Sequence, residues 1–254
     1  MKAPSNESHF ASRAVQVAFL LALIALWYLA TTRWRVSPLL LPNPTAVLRD
    51  FWDIIKTGEF IGDLRVTLTE LAWAFAIAAT LGVIAGYVIS RSQYRIRVFE
   101  PLFAGVYSIP IILFLPLYIL FFGLGPASKI ALGATIGFFP IALNTIAGFG
   151  YVDKVLVTAA RSMGASDYQL FRYVLLPAAQ PIIVTGMRMG FTVALLSIIG
   201  SETIASLAGL GHRIVHLAES MEMARMFAYI AFVVAIAVIL NMVASALEAR
   251  GRRY

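Results

Sequence analysis

Long apolar runs leave this chain few folds to choose from. Residues 15–30 are almost free of polar side chains, and comparable runs return at 66–90, 101–122, 127–150, 182–204 and about 227–247. Each is near the ~20 residues that a helix needs to cross a bilayer. The composition agrees: 60% of the 254 residues are hydrophobic and only 13% are charged, about half the charge of a soluble domain. The expectation is an all-α, polytopic membrane protein. It forms a single transmembrane domain over 1–254 with about six transmembrane helices, the first at about 14–32.

The first run is long for a secretory signal, and no Ala-x-Ala cleavage site follows it, so it reads as a spanning helix. Trp27, Tyr28 and Trp34 near its far end suit a membrane interface. Ser37 to Pro44 holds three prolines and reads as a stiff loop. Val47, Leu48, Phe51, Ile54 and Ile55 then recur at helical spacing, which predicts a surface-lying amphipathic helix over 45–56. Pro110 and Pro116 fall inside the third run. Each removes a backbone donor, so that span is expected to be kinked or locally unwound. Such backbone is tolerated at membrane depth only against protein or a water-filled cavity.

The net charge is +7. In a chain of this class the basic residues mark short cytoplasmic loops rather than nucleic acid. Lys2 and Arg13 precede the first run. Arg91, Arg95 and Arg97 follow the second, Lys154, Arg161 and Arg172 lie between the fourth and fifth, and Arg250, Arg252 and Arg253 end the chain. With six spans all of these share one side, and both termini are expected in the cytoplasm. The opposite short loops hold Lys129, Arg213 and Arg225. The longer loop after the first run carries Arg33, Arg35, Arg49, Lys56 and Arg65, offset by Asp50, Asp53, Glu59 and Asp63. Cysteine is absent, which excludes disulfides and Cys-ligated zinc or iron–sulfur sites.

Between the fourth and fifth runs, residues 153–177 are too polar for lipid. Asp153 can cap a short helix and Gly164 can end it in a left-handed conformation. Ser166 and Gln169 form a possible capping box for a second helix, and Pro177 is expected to stop that helix. The result is a helix–turn–helix knob exposed to water, a shape suited to docking in a partner's groove.

The spacing of Ala159, Ala160, Gly164, Val174, Leu176 and Pro177 resembles the Glu-Ala-Ala motif of permease subunits of ATP-binding-cassette importers. Thr158 stands where that motif opens with Glu. The resemblance extends to Leu41-Pro-Asn-Pro-Thr-Ala-Val-Leu48, to Phe122-Gly-Leu-Gly-Pro-Ala-Ser-Lys-Ile130 and to Phe139-Pro-Ile-Ala-Leu-Asn-Thr145. Together these are similar to the nitrate, sulfonate, taurine and bicarbonate branch, over roughly residues 40–250. The resemblance implies that 153–177 is a coupling segment, with Thr158, Ala159, Ala160, Gly164, Ala165, Ser166, Leu176 and Pro177 at the ATPase contact. It also implies two permease copies forming a homodimer, separate cytoplasmic ATPases that hold ATP and Mg, an external solute-binding protein, and residence in a bacterial inner membrane.

No enzyme constellation stands out. The chain lacks Gly-x4-Gly-Lys-Ser/Thr, so it is not expected to bind ATP or another cofactor itself. His212 and His216, with Glu219 nearby, could approach a metal on a helix, but no further ligand is compelling and the stretch reads as an outer loop. More informative are ionisable residues inside the runs, because charge in lipid must face protein or water. Arg188 and Glu202 lie about four turns apart on roughly one helix face. They are candidates for a translocation path, together with Asn144, Pro110 and Pro116. Arg188 would attract an anion on that reading; on the other it snorkels to the interface or braces the knob. Glu70 reads as interfacial. Asn144 and Ser197 also suit ordinary interhelical hydrogen bonds. The expected function is a permease moving a small, anionic, sulfonate- or nitrate-like solute inward. A stand-alone secondary transporter or channel is the alternative; the scattered His and acidic residues argue against a membrane enzyme.

Overall fold

Elements and breaks follow the prolines and glycines. The computed structural model describes residues 6–34 and 36–251, with the side chains of 6–14, 17, 247 and 249–251 left aside. Its helices are α1 (Asn6–Thr32), α2 (Pro44–Thr57), α3 (Phe60–Ser90), α4 (Gln93–Tyr107), α5 (Leu115–Phe122), α6 (Pro126–Gly150), α7 (Lys154–Ser162), α8 (Asp167–Leu170), α9 (Leu176–Ile204), α10 (Leu210–Glu219) and α11 (Met223–Gly251). Among the described residues, four helical stretches are long and apolar enough to cross a membrane: Phe60–Ser90, Pro126–Gly150, Asp167–Ile204 and Met223–Ala246. The pair α4 and α5 would be a fifth, and Ala18–Thr32 is a shorter apolar helix. Lys2, Arg35, Arg252 and Arg253, used above for orientation, lie outside the described residues, as do the side chains of Arg13 and Arg250.

Two compact units divide the chain: residues up to Phe60 with Ile214–Phe232, and Ile61–Arg213 with the chain from Val233 on. In the first, Asn43 caps α2 by accepting from Thr45 N at 2.9 Å, and Gly58 ends it at φ +68°. Val47 and Ile54 are buried, while Leu48, Trp52 and Ile55 stay exposed, which gives α2 its two faces. Trp27 Nε1 donates to Pro42 O at 3.0 Å. Arg225, counted above as a loop cation, sits in α11 and is paired with Glu59 at 2.7 Å and Asp53 at 3.3 Å. Its charge is thereby offset within the protein.

In the second unit α6 and α9 form the central pair. Gly137 and Gly190 face each other, and a Cβ on Gly137 would sit 3.1 Å from Gly190 O. Apolar tails in lipid give helices no hydrophobic reason to associate, so close approach of small residues is what packs them. Gly82 and Gly86 of α3 also abut α6, at Ile141 and Thr145. The third apolar run is broken as its prolines require. α4 stops at Tyr107, a short 3-10 turn covers Ile111–Phe114, and the two halves are bent by 73°. Pro110 stands at the break and Pro116 in the first turn of α5, where its missing N–H costs no hydrogen bond. Ile111, Leu115, Leu132 and Phe139 fill the angle against α6.

Several expectations need correction. Pro177 does not stop the second knob helix: α8 runs through a π-helical segment, Phe171–Leu175, straight into α9. A proline ring clashes with the carbonyl four residues back. The wider π turn relieves that clash while the chain stays helical. The stretch around His212 and His216 is a helix, α10, not a loop. Glu70 is buried rather than interfacial, because α3 begins at Phe60, earlier than its apolar run suggests. Lys129 is also buried; its Nζ donates to Leu124 O at 2.9 Å and Gly125 O at 3.1 Å.

Candidate functional site

Three constellations carry the polar chemistry. The knob comes first. Asp153 accepts from Val155 N at 2.8 Å and starts α7. At the other end Ala165 N donates to Ala160 O at 3.1 Å and Gly164 N to Arg161 O at 3.0 Å. That pair of bonds is a Schellman motif, and it needs a left-handed residue after the cap. Gly164 supplies it at φ +79°. The four-residue step from Ala160 to Gly164 is thus the step from the last buried turn to its terminator. Ser166 and Gln169 complete the expected capping box, Ser166 N to Gln169 Oε1 at 2.8 Å and Gln169 N to Ser166 Oγ at 3.3 Å.

Thr158, Ala159, Gly164 and Ser166 are exposed, Ala165 and Leu176 half-buried and Ala160 buried. Around them Val155, Leu156, Met163 (81% exposed) and Tyr168 present apolar surface. Arg161 and Asp167 pair at 3.2 Å across the turn, but both are exposed, so the pair adds little stability. Underneath, Phe171 packs on Tyr87 of α3 and Phe149 of α6, with ring centroids 5.3 and 6.1 Å apart. This aromatic anchor was missed in the sequence, since three separate rings give no local pattern. Just beyond α6, Tyr151 OH donates to Glu100 at 3.1 Å. The hydrogen bond, and then the carboxylate's charge, push the phenol pKa up.

The second constellation closes around Glu202. Its carboxylate accepts from Thr67 Oγ1 at 2.7 Å and Gly211 N at 2.8 Å. Thr67 in turn accepts from Leu210 N at 3.0 Å, and Asp63 from Gly209 N at 3.3 Å. An acidic cap at the start of α10 suits the partial positive charge there. Glu202 is therefore buried, with its carboxylate committed to Thr67 and Gly211. Gly209, at φ +109°, has no room for a Cβ against that carboxylate. The Gly209-Leu-Gly211 step was the available sequence signal, since glycines before a helix mark close backbone approach.

The third is Arg188. Its Nη1 pairs with Glu248 of α11 at 3.1 Å and Ser245 at 3.3 Å, while Thr185 donates to Glu248 at 2.8 Å. Arg188 and Glu202 share α9 but not a site. Asn144 turns its amide to Pro140 O at 2.8 Å, within its own helix. Among the described residues no three His, Cys, Asp or Glu come together as a metal site.

The family model for the binding-protein-dependent transport system inner membrane component matches residues 78–253. The chain belongs to this family. It is 31% identical over 241 residues to the taurine transport system permease protein of Escherichia coli (strain K12), covering 93% of this chain and 88% of that one. A Bacillus subtilis (strain 168) permease protein assigned to aliphatic sulfonate transport is 31% identical over 206 residues, 81% of this chain and 75% of that one. Among solved structures, an amino acid ABC transporter with histidines matches at TM-score 0.63 and 23% identity over 80% of this chain and 97% of the other. The inward-facing methionine transporter MetNI matches at 0.55 and 20%, over 83% and 96%. These two share the fold. The chain is a multi-pass membrane permease subunit of an ATP-binding-cassette importer, of the nitrate, sulfonate and taurine branch. Such a subunit works with separate ATPases and a solute-binding protein.

Proposed function

We propose that this permease moves a small organic anion, of the sulfonate kind named for its relatives, and that residues 153–177 are where its ATPase docks. One observation carries the docking reading: the knob is capped at both ends by its own residues, exposes apolar side chains, and continues unbroken through Asp167–Ile204. A push on the knob would then reach α9 as movement of one rod, with the Phe171 anchor as its fulcrum. ATP binding closes the partner ATPases, and alternating access follows if they bind the two permease states with different affinity. Two copies of this chain, both termini cytoplasmic, six spans and the domain limits 1–254 complete the proposal. On it, Thr158, Ala159, Ala160, Gly164, Ala165, Ser166, Leu176 and Pro177 shape the contact. Arg188, Asn144, Pro110 and Pro116 flank the path, and Glu202 joins it only if its cap on α10 opens.

The chain has no cysteine, so Met163→Cys gives a single reactive site at the tip. In membranes holding the ATPase and binding protein, that thiol is expected to crosslink to the ATPase, and ATP-driven uptake of taurine or an alkanesulfonate is expected from the native chain. Crosslinking only to lipid-phase neighbours would remove the docking assignment. Uptake without any ATPase would favour a stand-alone transporter.

A further inference from the structure

The bundle of α3, α9 and α11 holds a cavity of about 500 Å³ that the docking reading does not use. It is half open; its walls include Phe75, Phe191, Leu240 and Val243, and Arg188 and Glu248 are its charged lining residues. Phe75 and Phe191 meet edge to face with centroids 5.4 Å apart. The size falls within the usual range for small-molecule sites, about 300–1,000 Å³, and apolar walls with a few convergent polar groups are the usual pattern.

The two charges are not equivalent. Glu248 has 7% of its side chain exposed, and its two oxygens accept from Thr185 and Arg188. Arg188 has 43% exposed and engages only Nη1 among the described residues, on Glu248 and Ser245. Its Nε and Nη2 remain available, and a guanidinium presents donors in a planar fork that matches oxyanions. Glu248 offsets the membrane cost of the cation and fixes its orientation. Thr185 and Glu248 are positioning residues on this view.

We propose that this cavity binds a small organic anion with an apolar body, its oxyanion on the open edge of Arg188 and its body between the rings and Leu240. A bare inorganic anion would leave the apolar walls unfilled. The inference deepens the proposed function by naming a site and a solute class, and it rests on that reading only for its role in transport.

The test uses the permease–ATPase complex in nanodiscs, titrated with benzenesulfonate, inorganic sulfate and benzyl alcohol. Benzenesulfonate is expected to bind at least tenfold more tightly than the other two. Arg188→Gln is expected to cost tenfold or more, with partial recovery in Arg188→Lys, since charge-assisted hydrogen bonds are the stronger kind. Val243→Trp fills the cavity from an exposed position and is expected to block binding with every charge intact. Unchanged binding in both Arg188→Gln and Val243→Trp would overturn the site, as would sulfate binding as tightly as benzenesulfonate. Displacement of benzenesulfonate by equimolar phosphatidylglycerol would overturn it in favour of lipid. Uptake of taurine and alkanesulfonates by the native complex is measured in parallel. If uptake persists while binding ignores both variants, the cavity inference falls and the importer reading stands. If binding behaves as stated but no sulfonate is carried, the solute reading falls and the site stands.

Discussion

Gly164 allows conformation and bulk to be separated at the knob. It sits at φ +79°, and a Cβ built there meets no atom within 4 Å. Gly164→Ala therefore adds no clash, and its cost is that of placing an L-residue in the left-handed region, about 1–2 kcal/mol. The alternative is to give up the bonds from Gly164 N and Ala165 N that close α7. An energy of that size changes the population of the native turn relative to its competitors by roughly 5–30-fold. If the ATPase recognises the native turn, its apparent affinity falls by at most that factor. Gly164→Asn keeps a side chain but tolerates the left-handed region, so it should lose clearly less. Gly164→Trp combines the backbone cost with a ring on the docking surface and should abolish binding. The assay is a titration of purified ATPase onto the permease in nanodiscs, with amide exchange across 154–170 as a check on the turn. Native-like affinity in Gly164→Ala while amide exchange shows the turn opened would refute the conformational argument. Equal damage from Asn and Trp would show that bulk, not backbone, decides.

Other perturbations follow from the same geometry. Phe171→Ala removes two ring contacts, each worth about 0.5–1.5 kcal/mol; ATPase binding should persist while ATP-driven uptake falls, and parallel loss of both would remove the fulcrum role. Gly209→Ala drives a Cβ into the Glu202 carboxylate, so the thermal midpoint in detergent should fall further than for Glu202→Gln, whose cost should be about 1–3 kcal/mol; the reverse order would contradict the close approach. Pro110→Ala restores a backbone donor at the 73° bend, and spin labels at Leu102 and Leu120 should move apart as α4 and α5 straighten. An unchanged label distance would mean that packing against α6, not the proline, holds the break.

Much of the local structure was legible because its causes are local. The caps at Asp153 and Ser166, the terminator at Gly164 and the break at Pro110 each depend on residues within one turn, and each stands where the sequence implied. The apolar runs were equally readable as helices, since lipid leaves the backbone no other partner. Span ends were less so: α3 begins at Phe60 because Asp63, Thr67 and Glu70 find partners or burial inside the bundle, which hydropathy cannot register.

Residue roles divided the same way. The sequence alone determined that this chain is helical, membrane-embedded and carries an exposed, self-capped knob, because period, length and capping chemistry act between near neighbours. Only the tertiary structure decided what the intramembrane charges do. Arg188 turns to Glu248, and Glu202 is held by Thr67 of α3 while it caps the start of α10. It also decided that Pro177 follows a π turn into α9 rather than ending a helix. A buried charge takes whichever partner the packing of distant helices brings within about 3 Å, and no sequence spacing encodes that distance.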